Sequence, residues 1–225
     1  IATACKLLFN SLRFDVYARI DGFINEEGMV FLNDPNTTSG MMPSSFFFHQ
    51  AAEIGLNPSQ FLTFIISTSI KKRASLNHNQ IKVNHLYEKL NQNITSNNAA
   101  FTNKIKVAVI LGGYSSERHI SVESGRNIYE KLASSEKYLP IPIFLTGSNQ
   151  AHQLFTLPIN ILLKDNADDI QEKVNHYYEH PFITSVKTDA APITGFFTGS
   201  QATIDPQQIS YEQLKQMVDI VFIAL

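Results

Sequence analysis

Apolar residues recur with clear periodicity through residues 1–73, thin out through 74–104, and return as a buried-strand run at Ile105-Lys106-Val107-Ala108-Val109-Ile110-Leu111. Within the first stretch, residues 1–12 read as the tail of a helix. Val16 to Ile24 alternates as a strand, Asn25-Glu26-Glu27-Gly28 supplies a turn, and Met29 to Asp34 reads as the returning strand. Pro35 and Gly40 bracket an irregular loop. Ser44-Ser45 can cap a helix running to about Ile54, with Gly55 as its stop. Asn57-Pro58 opens a second helix, Asn as N-cap and Pro at the first helical position, through the apolar run Phe61-Leu62-Thr63-Phe64-Ile65-Ile66. It closes on the basic last turn Lys71-Lys72-Arg73. Residues 74–104 are rich in Asn (Asn77, Asn79, Asn84, Asn91, Asn93, Asn97, Asn98) and read as a connector with a helix near 79–92. From 105 onward β and α signals alternate, with strands at 105–111, near 140–146 and at 218–225 and a helix at about 121–132. That alternation predicts a three-layer α/β unit with a mainly parallel sheet.

The hairpin gathers charge. A loop of two or four residues makes paired residue numbers sum to an odd value, so odd positions on the first strand share a face with even positions on the second. Arg19 and Asp21 then face the same way as Asp34, and as Asn36 if the strand continues past Pro35. An odd-length loop or a bulge breaks that rule. Tyr17, Phe23, Val30 and Leu32 are expected on the same face, which argues against a freely solvated one. Two carboxylates, an amide oxygen and a guanidinium form a hard-ligand set. Mg²⁺ favours one or two carboxylates completed by phosphate oxygens and water, and the arginine can hold an anion beside it.

Composition narrows the setting. The 225 residues suffice for one large or two small domains, and 44% hydrophobic with 17% charged residues describes an ordinary globular chain. A net charge of -2 gives no electrostatic reason to expect nucleic acid or an acidic membrane surface as partner. The one cysteine, Cys5, excludes an intrachain disulfide and a Cys-rich metal site, suits a reducing, cytoplasmic compartment, and is expected as a buried, inert thiol. No apolar run approaches the roughly 20 residues that span a bilayer. The chain opens at Ile1 without a methionine or a signal-peptide pattern, and so reads as a cut from something longer.

Two stretches carry a specific resemblance. Tyr17-Ala18-Arg19-Ile20-Asp21, followed by Leu32-Asn33-Asp34-Pro35-Asn36-Thr37-Thr38-Ser39-Gly40-Met41-Met42-Pro43-Ser44-Ser45, resembles the closing part of the D-alanine–D-alanine ligases of the ATP-grasp type. The family pattern there is Arg-x-Asp, a hairpin, Glu-x-Asn-Thr-x-x-Gly, and a Ser five residues beyond the Gly. The resemblance implies that Asp21, Asp34 and Asn36 hold Mg²⁺, as one or two ions replaceable by Mn²⁺, that bridges the ATP phosphates. It further implies that Arg19 and the Gly40 amide stabilise the tetrahedral adduct, and that Ser45 holds the carboxylate of the second D-alanine. One departure stands out: the family's Glu is Asp34 here, a carboxylate one methylene shorter. The second stretch, Lys106-Val107-Ala108-Val109-Ile110-Leu111-Gly112-Gly113-Tyr114-Ser115-Ser116-Glu117-Arg118-His119-Ile120-Ser121, resembles the opening of the same family, a strand, then Gly-Gly-x-Ser-x-Glu-Arg-x-x-Ser, then a helix. By that analogy Glu117 binds the amino group of the first D-alanine. Without the analogy, Glu117 is an acid that favours a helix N-terminus.

The closing part precedes the opening part. The resemblance therefore implies a tandem fusion: residues 1–73 as the C-terminal part of an ATP-grasp catalytic domain, 74–104 as a partly helical linker, and 105–225 as the Rossmann-like N-terminal α/β domain of a second module. Neither module is complete, so the expectation is that the chain alone makes no dipeptide. In the parent, two D-alanines and ATP give D-Ala-D-Ala for peptidoglycan through an acyl phosphate, in the cytoplasm and with a homodimer among the expected assemblies. Two rivals stay open: a degenerate, non-catalytic ligase-like module, and an ATP-grasp ligase for another amino or hydroxy acid. Segment 147–215 fits the family pattern poorly, and His152, His176 and His180 default to surface or packing roles. Lys82, His85 and Glu88 share a helix face and read as a solvated polar stripe.

Overall fold

The run at 105–111 forms an inner strand of the larger sheet. The computed structural model describes residues 1–38, 40–42, 45–76, 80–199 and 205–224, and for Phe101 and Thr102 the backbone alone. Ahead of the sheet come α1 (Ala2–Ser11), β1 (Arg19–Ile24), β2 (Val30–Asn36), α2 (Phe46–Glu53), α3 (Pro58–Ala74) and α4 (Gln80–Ala99). Then follow β3 (Ile105–Gly112), α5 (Arg118–Ala133), β4 (Tyr138–Gly147), β5 (His152–Thr156), α6 (Ile159–Lys164), α7 (Ala167–Asn175), α8 (Pro181–Thr198), β6 (Gln207–Ile209), α9 (Tyr211–Met217) and β7 (Ile220–Ile223).

The sheet runs β6-β5-β4-β3-β7. β3 pairs in parallel with β4 and with β7, whereas β4–β5 and β5–β6 are antiparallel. The sheet is therefore mixed: the parallel expectation holds for β4-β3-β7, while segment 147–215 adds the antiparallel strands β5 and β6, which its sequence did not announce. Pro140 and Pro142 explain where that edge begins. Lacking N–H groups, they lie where β4 pairs with β3 alone, and the β5 ladder starts at Ile143.

Alternation along β3 sends its side chains into two cores. Val109 and Leu111 join Val122, Phe144, Leu162 and Ile170 beneath α5, α6 and α7. Ala108 and Ile110 join Ile143, Leu145 and Leu154 beneath Leu214 of α9. Helices therefore cover both faces, the arrangement that lets a parallel strand read as a continuous apolar run.

The leading helices form a third cluster. Asn57 and Gln60 close the capping box at the start of α3, with both bonds at 2.9 Å. Phe48, Ala51, Leu56 and Phe61 pack with Ile94 of α4 and Phe197 of α8. Ser45 occupies the N-cap position of α2 without a side-chain cap bond; Ser44, its suggested fellow cap, lies outside the described residues, as do Asn77, Asn79 and Leu225. Cys5 is half-buried rather than buried, because α1 places no residue in a core. No described helix is long and apolar enough to cross a membrane.

Candidate functional site

The β1–β2 hairpin departs from the expected register twice, and the two departures offset each other. Its loop has three residues, Glu26 to Gly28, closed by Asn25: the Met29 amide donates to Asn25 Oδ1 at 2.8 Å and the Gly28 amide to the Asn25 carbonyl at 3.0 Å. Gly28 sits at φ +80, where a side chain would be strained. An odd loop puts odd positions opposite odd ones: Phe23 faces Phe31 and Asp21 faces Asn33. The Phe23 and Phe31 rings stack at 5.0 Å. Val30 and Leu32 pair with Ile24 and Gly22 instead, and so leave the face expected for them. Tyr17 packs its ring on Phe47, 5.1 Å between centroids.

A β-bulge then restores the parity. Pairing shifts between Ile20 and Asp21, so Ile20 faces Pro35, Arg19 faces Asn36, and Asp34 is the extra residue. Asp34 adopts φ +48, the left-handed region that Asp tolerates better than most side chains. The bulge thus offers a local reason for the shorter acid at this position. A Glu would reach further but fit this backbone less well.

Arg19, Asp21, Asp34 and Asn36 are thereby brought together. Arg19 Nη2 lies 3.1 Å from Asp21 Oδ2 and 3.6 Å from Asp34 Oδ2. The Asn36 amide donates to the Asp34 carbonyl at 3.1 Å, leaving its oxygen as an acceptor. Exposed pairs of this kind add little to stability. Among the described residues no three His, Cys, Asp or Glu side chains converge on a cation position. Two carboxylates and one amide oxygen still suit Mg²⁺ whose remaining ligands are phosphate and water.

Gly40 is exposed, and a Cβ placed on it would meet nothing within 4 Å. Ser45 Oγ is buried and has no hydrogen-bond partner among the described residues, and the same holds for Arg19 Nε and for His49 Nε2 one turn further along α2. Unpaired buried polar atoms are costly, so the two on the α2 segment, Ser45 Oγ and His49 Nε2, mark a stretch suited to meeting a polar group. Burial, then the charges of Arg126 and Lys164, hold the His49 imidazole below its usual range. Sequence reading passed over His49, and its spacing of one turn from Ser45 was the available signal.

The second half of the site is the turn after β3. Gly112 and Gly113 adopt φ +95 and +102. A Cβ on Gly112 would stand 2.4 Å from Phe144 Cε2, so the turn needs glycine on both steric and conformational grounds. The Gly112 amide donates to Ser121 Oγ at 2.8 Å, fixing the turn to α5. Glu117 is the N-cap residue of α5, is exposed, makes no side-chain cap bond, and carries no ion pair among the described residues. Its neighbour Arg118 is committed to Asp168 at 2.8 Å, with His119 at 3.5 Å from the same carboxylate. The Arg118 hydrogen bond holds Asp168 below the usual carboxylate range. That contact joins residues far apart in the chain and had no sequence signal. His152 likewise gains partners, Tyr211 Oη at 2.8 Å and the stacked ring of Tyr114.

Comparison with known proteins places both halves. The family described as D-ala D-ala ligase N-terminus matches residues 106–225, more than half of the chain, and the family described as D-ala D-ala ligase C-terminus matches residues 1–67. D-alanine--D-alanine ligase B of Clostridium perfringens is 40% identical over 65 residues, which cover 29% of this chain and 22% of that protein. D-alanine--D-alanine ligase of Vibrio atlanticus is 34% identical over 70 residues, 31% of this chain and 21% of that protein. The chain therefore spans about a fifth of the length of these curated relatives. No solved structure matches.

Proposed function

The chain belongs to the D-alanine–D-alanine ligase family, and from that premise we propose that its two halves carry metal, transition-state and substrate groups of an ATP-dependent ligase that joins two D-alanines in the cytoplasm. The observation that carries this reading is the bulged hairpin, which draws Asp21 and Asp34 to Arg19 and sets Asn36 opposite it. Mg²⁺ bound there would neutralise charge on the ATP phosphates.

The protein's own groups have separate tasks. Asp21, Asp34 and the Asn36 amide oxygen present the oxygen ligands. Arg19 lies between the two carboxylates, where its guanidinium also meets a phosphoryl or acyl-phosphate oxygen and stabilises charge that grows as an amine adds to the carbonyl carbon. The Gly40 amide adds a second donor. Ser45 Oγ, buried and unpaired at the start of α2, accepts the role of donor to the carboxylate of the attacking D-alanine, where helix N–H groups favour an anion. Glu117, free of ion pairs among the described residues, takes the amino group of the first D-alanine. In the first step that D-alanine's carboxylate attacks the γ-phosphorus of ATP and ADP leaves. In the second the free amine of the other D-alanine displaces phosphate, and a proton is lost from nitrogen.

Metal binding tests the hairpin without requiring turnover. Titration of the 225-residue chain with Mn²⁺ and ATP should broaden NMR signals of β1 and β2, and Asp21→Ala should weaken that effect on the order of tenfold, the loss of one charged ligand. Unchanged broadening in Asp21→Ala would show that the metal lies elsewhere. In the complete parent, with its other module disabled, Asp21→Ala or Asn36→Ala should lower turnover about a hundredfold. The chain by itself, which matches only about a fifth of its relatives' length, is expected to release no phosphate from ATP and D-alanine.

A further inference from the structure

Gly112 and Gly113 give the turn after β3 little backbone restraint of its own, because glycine reaches left-handed and right-handed conformations at similar cost. The Glu117 carboxylate further along keeps one position only if side chains hold that turn. On the α5 side the Gly112 amide is tied to Ser121 Oγ at 2.8 Å, and Arg118 Nη1 donates to the Ser115 carbonyl at 3.2 Å. The Glu117 amide donates to Ser115 Oγ at 3.2 Å. α5 covers the face of the sheet where Val122 enters the core.

Tyr114 reaches the other face. It is the first side chain after the glycines, and its ring stacks on His152, 5.9 Å between centroids and 23° from parallel. Its hydroxyl donates to Asn149 Oδ1 at 3.3 Å. His152 opens β5 and pairs with Gly147, the last residue of β4. β3 and β4 are parallel, with Gly112 beside Leu145, so these residues meet at the carboxyl end of the parallel strands. In α/β sheets ligands bind at that end. His152 shares its face of β5 with Leu154, which packs with Leu214 of α9. Tyr114 thus leans towards α9 while Glu117 opens α5 on the opposite face.

His152 is itself held. Its Nδ1 shares a hydrogen bond with Tyr211 Oη at 2.8 Å, and the two rings meet edge to face at 6.4 Å. Tyr211 opens α9, whose start is fixed by the capping box of Ser210 and Gln213, with bonds of 2.7 and 3.1 Å. The strand end is fixed too, because Ser148 and Ala151 exchange backbone bonds of 3.0 and 3.2 Å across the β4–β5 turn. An imidazole bonded to one phenol and stacked on another has a defined ring plane, which a solvated surface histidine lacks.

We infer that His152 is a positioning residue: backed by Tyr211, it clamps Tyr114 and so holds the turn from Gly112 to Glu117, keeping the Glu117 carboxylate in place for the ammonium group of a D-amino acid. The ammonium role rests on the function proposed above; the clamp rests on the ring and hydrogen-bond contacts. His152 acts through Tyr114 and not on the substrate.

Amide exchange and ligand titration on the 225-residue chain test the two levels separately. The amides of Gly113, Glu117 and Arg118 are hydrogen-bonded in the turn. His152→Leu, Tyr114→Leu and Tyr211→Phe should each raise their exchange roughly threefold to tenfold, the scale of one lost ring pair or hydrogen bond, while β4 and the thermal midpoint change little. Tyr211→Phe is the gentlest of the three, since it removes a single oxygen two rings away from the turn. His152→Leu combined with Tyr114→Leu should be no worse than the stronger single change, because both remove the same contact. Unchanged exchange in all three variants, or additive effects in the double variant, overturns the clamp. D-alanine is then titrated and followed by NMR at residues 117–121. The response should vanish in Glu117→Gln and require roughly threefold to tenfold more D-alanine in Tyr211→Phe. Faster exchange in Tyr211→Phe with an unchanged D-alanine response overturns the positioning role. A wild-type chain silent to D-alanine, or a response that survives Glu117→Gln, overturns the role proposed for Glu117 and with it the positioning of that carboxylate for substrate, while the exchange result alone decides the clamp.

Discussion

The trailing domain and the leading part solve the burial problem differently. The trailing domain is self-sufficient: Val109, Leu111, Phe144, Leu162 and Ile170 are fully buried, and each comes from its own strands and helices. The leading part has a two-stranded hairpin whose β1 is exposed over most of its length, and its helices reach a core only by meeting Ile94 and Phe197. A lone hairpin is marginal in water. The Arg19-Asp21-Asp34-Asn36 group thus sits on an element that depends on a neighbour, whereas the Gly112-Gly113 turn sits on an element that does not.

Substitutions can break that contrast in graded steps. Phe144→Ala empties the centre of the self-sufficient core and should cost about 3–5 kcal/mol, seen in denaturant melts as early loss of the whole molecule. Phe197→Ala removes the shared ring, 7% exposed, and should cost about 3 kcal/mol. Its effect should be unequal, with α2, α3 and α4 losing hydrogen-exchange protection while β3 and β4 keep theirs. Equal loss everywhere would show that the two regions unfold as one. Asn57→Ala opens the capping box of α3 and should cost about 1 kcal/mol, confined to the leading part.

The smallest effect is set by pH. Burial pushes the Tyr129 phenol on α5 up to about 12, while its bond to Asn57 acts in the opposite direction. A raised folded pKa gives stability that is complete below the unfolded value near 10 and is lost as pH rises through that value towards 12. Stability should fall by about 0.8 kcal/mol by about pH 10.5. Tyr129→Phe should remove that slope, and a slope unchanged in Tyr129→Phe would assign it to other groups.

Much of the fold was readable from local pattern. β3, α5 and β7 follow from the apolar run, the Gly-Gly turn and the alternation after it, because a parallel strand buried on both faces leaves a continuous signal. Asn57 as N-cap and Pro58 at the first helical position announced α3, and the structure adds the reciprocal bond from Gln60. Segment 147–215 was opaque for the converse reason. β5 and β6 are short, and the β5 ladder on β4 begins only beyond Pro142.

The candidate site divides along the same line. Which residues are candidates was legible from the chain alone, since Arg19, Asp21, Asp34, Asn36, Ser45 and Glu117 stand in order within two recognisable stretches. The chain also determined the glycine turn, because only glycine fits φ +95 against Phe144. Tertiary structure decided how the hairpin residues meet. The three-residue loop and the Asp34 bulge each reverse the alternation, and only their combination returns Asn36 to Arg19. It alone decided that the leading part rests on the trailing domain, because the Phe48–Phe197 cluster and the Glu53–Lys164 pair join residues with no local relation. Period and propensity act over a few residues, whereas burial is satisfied by whichever apolar surface the folded chain brings within reach.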